Sequence, residues 1–446
     1  MRVASALSTV ALVPILIGAW GVQGYGEWVA LVALISYASY ANFGVVTIGG
    51  NEVVMGMGAG DPARAKRSFR NALAFSHLVV VPTLLAAACA ASVVPFGRIL
   101  NLAQVSDAEA RLIAWLALAQ VAVTTYRGLG AFVLNAHGRY AVTYTTEGCV
   151  RLLELGSVAT AVVWFGARQT GLAATLALFS LIELVAFVLL VRRIADWSFW
   201  HMGPLDRGWV RSLLRPGFGF FLANLSSQNI LLQGPRIALA IVSGGSAVAL
   251  YNVYGIVLRL ADQIVLLISA PLEVEVVQAW HQGEKGRAYR LIILGTQVSV
   301  LVLIACGVAL LASGPWFFPV WTAGRIAFDI GLLWLFLAIA LAAQFGRIAS
   351  QTLTAANRIF EVSVLMLPLS LVAVGLGTIL AAMLGVQGMA LGIVAGEVLL
   401  SLLMLRAIRA WTGEPGAAPL RDLFRPGDLK LLAAAVPHRL LRRRRP

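Results

Sequence analysis

Twelve apolar stretches follow one another along this chain, at residues 3–20, 27–50, 69–96, 111–137, 140–166, 169–191, 217–243, 246–280, 288–312, 327–355, 358–384 and 388–411. Each is near the length that crosses about 30 Å of hydrocarbon at about 1.5 Å per residue, so each reads as a membrane helix. Only 12% of the residues are charged and 60% are hydrophobic, where a soluble domain is about 25% charged. The expected fold is all-α: a polytopic membrane protein of twelve transmembrane helices.

Basic residues set the orientation. With the N-terminus in the cytoplasm, Arg64, Lys66, Arg67, Arg70, Arg139, Arg192, Arg193, Arg207, Arg211, Arg215, Lys285, Arg287, Arg290 and Arg358 fall inside, with Arg2 and an arginine-rich tail. Only Arg98, Arg111, Arg168 and Arg325 fall outside, the bias of the positive-inside rule. Both termini are expected in the cytoplasm, and the net charge of +14 reads as topology rather than as nucleic-acid binding. Met1 to Gly21 is read as a retained first helix, because Ile17-Gly18-Ala19-Trp20 is a poor cleavage site and eleven further spans follow.

Chemistry of other kinds finds little footing. Cys89, Cys149 and Cys306 lie in separate apolar segments, and His77, His137, His201, His281 and His438 have no ligand spacing, so no disulfide, metal or cofactor is expected. The run Gly56-Met57-Gly58-Ala59-Gly60-Asp61 lacks the Lys-Ser/Thr of a phosphate-binding loop. The chain is not expected to be an enzyme.

The two halves resemble each other. Leu134-Asn135-Ala136-His137-Gly138-Arg139 matches Leu353-Thr354-Ala355-Ala356-Asn357-Arg358, Gln169-Thr170-Gly171-Leu172-Ala173 matches Gln387-Gly388-Met389-Ala390, and Glu183 precedes Arg192 as Glu397 precedes Arg406. Six spans per half give both halves the same direction, a parallel repeat with a pseudo-two-fold axis along the membrane normal. The expected organisation is a six-helix bundle over 1–191, a cytoplasmic interfacial linker over 192–216 carrying Trp197, Phe199, Trp200 and Trp209, a second bundle over 217–411 and a basic tail over 412–446.

Four arginines, Arg127, Arg151, Arg259 and Arg347, lie well inside these spans. A guanidinium at a helix centre costs about 2.5–3.5 kcal/mol on insertion scales and stays charged, so it must be sheltered from lipid. Helical spacing groups polar residues with them: Glu147, Arg151 and Glu154 share one stripe, as do Gln120, Thr124 and Arg127, then Gln344, Arg347 and Gln351, and Arg259 stands three residues before Asp262. Asn224 and Gln228 share a face with Pro235, where the helix is expected to kink. Arg236, ~28 Å along its helix from Gly217, is expected to snorkel to the outer surface.

A purely structural reading has each arginine tied to a neighbouring acid, as Arg259 to Asp262. A hydrated central cleft satisfies the whole set together, because several dry polar stripes would each cost several kcal/mol. In that cleft Arg127, Arg151, Arg259, Arg347, Gln120, Gln351, Asn224 and Gln228 are the expected substrate contacts, with Glu147, Glu154, Glu183, Asp262 and Glu397 as charge partners or ion-coupling groups.

Two stretches carry a family resemblance. Gly24-Tyr25-Gly26-Glu27-Trp28, Tyr37, Asn42-Phe43-Gly44-Val45 and the Gly60-Asp61 loop ending in Arg64, Lys66 and Arg67 form the first; Ala249-Leu250-Tyr251-Asn252-Val253-Tyr254, Arg259-Leu260, Ala270-Pro271-Leu272 and Gln282-Gly283 form the second. The chain resembles the polysaccharide transporters, oligosaccharide-lipid flippases of the multidrug/oligosaccharidyl-lipid/polysaccharide (MOP) exporter superfamily. The resemblance implies a bacterial inner-membrane protein that moves a lipid-linked oligosaccharide on undecaprenyl diphosphate between leaflets by alternating access, with polymerase and glycosyltransferases as pathway partners. The chain departs from the pattern at Gln233-Gly234-Pro235-Arg236, where many relatives carry an acid. Two other readings remain open: a MATE-like drug or cation antiporter of the same superfamily, and a non-transporting scaffold of a polysaccharide synthesis complex.

Overall fold

The computed structural model describes residues 2–199, 203–355, 359–413 and 419–423. Trp200 and His201 of the expected linker, the Ala356-Asn357-Arg358 end of the repeat, and the basic tail past residue 423 lie outside the described residues. The long helices are α1 (2–20), α2 (22–58, ending its first part in a 3-10 turn at Ser36–Tyr40 and broken at 41–44, where Phe43 and Gly44 are left-handed, before Val45–Gly58), α3 (62–93), α4 (Asp107–Ala136), α5 (Tyr140–Phe165), α6 (Gln169–Ala195), α7 (207–243), α8 (Gly245–His281), α9 (Lys285–Trp321), α10 (Ile330–Ala355), α11 (359–384) and α12 (386–412).

Nine helices among the described residues are long and apolar enough to cross a membrane. Two of these fold back at a glycine in the left-handed region, Gly21 (φ 72°) and Gly385 (φ 57°), a conformation that costs residues with a Cβ about 1–2 kcal/mol. Thr9 and Ala33, which one straight helix would set about 36 Å apart, line the same cavity. Past Gly385, a Cβ on Gly396 would press on Ala373 and one on Gly392 on Gly377, which shows α11 and α12 packed antiparallel. With Arg207–Ser243 added, helices fall on most of the apolar stretches of the sequence, while the stretch 27–50 runs across the turn at 41–44.

Local signals explain the helix starts. Ser106 and Glu109 form a reciprocal capping box at α4, Asp61 accepts the Arg64 N–H at 2.9 Å with Pro62 in the first turn of α3, and Asp206 accepts the N–H groups of Gly208 and Trp209 at α7. That last cap places 207–216 in α7, and α6 runs to Ala195, so the stretch expected as a linker is helical at both ends. In α7 the irregularity precedes Pro235: residues Leu225–Ile230 form a π-turn, one residue per turn wider than an α-helix.

The halves meet chiefly where α1 and α2 face α7 and α8. Tyr37 Oη donates to the Asn229 carbonyl at 3.2 Å, Tyr40 Oη donates to the Asn224 carbonyl at 3.4 Å, and Gly44 lies against Gly217. At the other end Gly26 lies against Gly245, so close that a Cβ on Gly26 would fall on the Gly245 carbonyl. Residue numbers that rise on α2 as they fall on α7 describe an antiparallel seam, closed by small residues where backbones touch. Gly26→Val is expected to wedge this end apart and lower the thermal midpoint of the detergent-solubilised protein by several degrees, read by scanning fluorimetry; an unchanged midpoint would show the contact to be dispensable.

Candidate functional site: three charge clusters around the seam

In the first half, α4, α5 and α6 bring Arg127 between two carboxylates. Its guanidinium is bonded to Glu147 and lies 3.5 Å from Glu183, and both acids are buried. Arg151 pairs with Glu154 of its own helix at 2.9 Å, its side chain 42% exposed. The stripe of the sequence is therefore divided: Glu147, expected to flank Arg151, is bonded across helices to Arg127. Water reaches the pair through the Arg151 end, while Glu154 is buried with its side chain 11% exposed. Arg151→Ala is expected to leave membrane abundance unchanged by quantitative immunoblot, and a collapse in abundance would contradict that reading.

The second half repeats the device with other partners. Arg347 on α10 meets Asp262 on α8 at 2.9 Å, and Gln344 donates to the other oxygen of the same carboxylate at 2.9 Å. Glu397 of α12 shares the cavity with this pair, a space of about 480 Å3 that Gln228, Gln351 and Arg259 also line. Arg127 of α4 and Arg347 of α10 are thus each bonded to an acid of another helix, and Glu183 and Glu397 lie in their respective clusters.

The third cluster sits on the seam. A cavity of about 360 Å3 opens between α1, α2, α7 and α8, and both Arg236 and Arg259 line it, with Tyr25, Gln233 and Asn252. Asp262, expected as the partner of Arg259, is taken by Arg347 and Gln344, and no carboxylate lies within ion-pair distance of Arg236 or Arg259 among the described residues. Arg259 faces the Asn252 side-chain oxygen at 3.5 Å, and Asn252 donates to Tyr25 Oη at 2.7 Å. Arg236 is 8% exposed, bonded to Gln233, with its Nε unpartnered. It does not snorkel: α1, α2 and α8 cover this part of α7.

Asn224 and Gln120 fall elsewhere. Asn224 bonds its side chain to the Phe220 carbonyl at 2.8 Å and serves the seam through its backbone, and Gln120, half-buried on α4, lines neither cavity. Sequence reasoning passed over Tyr25, Gln233 and Asn252, although Tyr25 and Asn252 stand inside the stretches that carry the family resemblance. It also missed Glu27. This fully buried carboxylate accepts the N–H groups of Ala103, Gln104 and Val105 at 2.8–3.0 Å and the Gln23 amide at 2.8 Å, while Gln23 Oε1 accepts from Ser246. One acid thereby braces the loop before α4 and, through Gln23, the start of α8. Among the described residues no group of three His, Cys, Asp or Glu is placed to hold a metal.

No family model matches the chain, and no curated protein matches it in sequence. Solved structures do match over nearly its whole length. A multidrug resistance MATE family transporter of the MOP superfamily superposes in its inward-facing conformation with a TM-score of 0.69 at 17% identity, over 92% of this chain and 94% of that one. The chain has the MATE transporter fold. An outward-facing MATE structure superposes with a TM-score of 0.63 at 15% identity, over 94% and 97% of the two chains. So does a MOP superfamily transporter from Pyrococcus furiosus, described as having a binding pocket of reverse polarity that suggests a different function, with a TM-score of 0.63 at 16% identity over 92% and 91%. At 15–17% identity the likeness shows the fold alone, an all-α fold found in membrane transporters.

Proposed function

We propose that this chain is an alternating-access membrane transporter of twelve spans, built of bundles 1–191 and 217–411, whose seam cavity takes an anionic headgroup. Its substrate is a lipid-linked oligosaccharide on undecaprenyl diphosphate, moved from the cytoplasmic to the periplasmic leaflet of a bacterial inner membrane. Both termini then face the cytoplasm, and the enzymes that build and polymerise the glycan are its pathway partners.

The observation that carries the proposal is the pair Arg236 and Arg259, two guanidiniums lining one cavity with no carboxylate on either. Two unpaired like charges away from water repel each other and are poorly solvated; a diphosphate between them relieves both penalties through bidentate bonds. The cavity lies on the seam, where rocking of one bundle against the other changes access while lipid tails stay in the bilayer.

A second reading has its own support. The solved neighbours are mostly named as MATE proteins, two of them as multidrug resistance MATE family transporters, which favours a drug or cation antiporter by name more directly than a flippase. The first-half cluster also sets three carboxylates, Glu147, Glu154 and Glu183, against two arginines. The second half and seam set three arginines, Arg236, Arg259 and Arg347, against Asp262 and Glu397, and that cationic excess supports the anion. Proteoliposomes separate the two readings. Translocation of a fluorescent undecaprenyl-diphosphate oligosaccharide, with no proton- or sodium-driven ethidium movement, is the expected result; the reverse pattern assigns the antiporter.

A further inference from the structure

A separate pocket of about 530 Å3 opens at the arginine-rich end of the first half, between the start of α3, the end of α6 and residues 196–199. Lys66 and Arg70 line it from adjacent turns of α3, and Arg192 from the last turn of α6. Among the described residues none of the three has a carboxylate within ion-pair distance. Asp196 is the acid in the lining, so the pocket keeps a cationic excess.

Its floor is firm. The Phe69 ring packs 5.4 Å from Trp197 and 5.3 Å from Phe199, and all three are buried. Its open side is apolar: Leu189 is 60% exposed and continues a stripe of exposed residues on α6, Leu178, Leu181, Ile182 and Val185, at spacings of three and four. On a membrane helix such a stripe faces acyl chains, and it leads straight to the cationic pocket.

We propose that this pocket binds the headgroup phosphate of an anionic phospholipid, with an acyl chain lying along the α6 stripe. The shared chemistry is a phosphate held by two guanidiniums and an ammonium at the headgroup layer. The stripe distinguishes a lipid from free phosphate, since a free ion would use the cations and leave the apolar track bare. The site lies away from the seam and does not depend on what the transporter carries.

The test uses the full chain in phosphatidylcholine nanodiscs, titrated with phosphatidylglycerol, and native mass spectrometry of retained lipid. Phosphatidylglycerol is expected to be retained about tenfold over phosphatidylcholine, and the double variant R70Q/R192Q to lose that preference. Asp196 adopts a left-handed conformation (φ 54°) that Asn also tolerates, so Asp196→Asn keeps the turn and removes the opposing charge. It is expected to tighten retention severalfold, a gain that misfolding does not produce. Equal retention of the two lipids, or retention unmoved by both variants, overturns the proposal. Displacement of phosphatidylglycerol by millimolar inorganic phosphate also overturns it and makes the pocket a free-anion site.

Discussion

Arg259→Gln is expected to lower translocation of the fluorescent undecaprenyl-diphosphate oligosaccharide by about ten- to a hundredfold in proteoliposomes, the loss of one charge-assisted contact of about 1.5–3 kcal/mol. Arg259 lines both the seam cavity and the second-half cavity, so its removal acts on both. The protein should still fold, because no buried carboxylate depends on this side chain for its charge; its nearest polar contact is the neutral Asn252 at 3.5 Å. Arg259→Lys is expected to recover part of the rate, a point charge replacing a bidentate fork. Full activity in Arg259→Gln at normal abundance would remove the seam arginines from the substrate path.

Arg127→Ala should behave in the opposite way, failing in stability before transport is measured. It strands Glu147 and Glu183, both buried, without their shared ion-pair partner. Breaking a buried pair from one side typically costs about 3–5 kcal/mol, enough to deplete folded protein from the membrane. Fluorescence-detected size exclusion of the solubilised protein is expected to show a strong loss of the monodisperse peak. Restoration is expected on adding Glu147→Gln and Glu183→Gln, which removes the stranded charge. If Arg127→Ala stays abundant and monodisperse, the cluster is hydrated and the two acids are not held by Arg127.

Much of the fold was legible from local properties. The helices α4, α5, α6 and α10 stand within a few residues of their apolar stretches, and the reversal at Gly385 falls between the stretches ending at 384 and beginning at 388. Arg127 and Arg347, which the sequence repeat matched to one another, each meet an acid from another helix. Pairing was less legible. Spacings of three and four put Glu147 near Arg151 and Asp262 near Arg259, but each acid goes to an arginine on another helix, Arg127 and Arg347. Distance along α7 likewise put Arg236 at a surface that α1, α2 and α8 in fact cover.

The sequence by itself determined where most of the helices run and which charges must find shelter inside the bundle. Those properties follow from apolar length and helical period, which add up residue by residue without reference to the rest of the chain. Only the tertiary structure decided which charges are spent on one another and which remain. Ion pairing falls off over a few ångströms and depends on how adjacent helices are rotated and offset, and that geometry leaves Arg236 and Arg259 facing the seam without an acid.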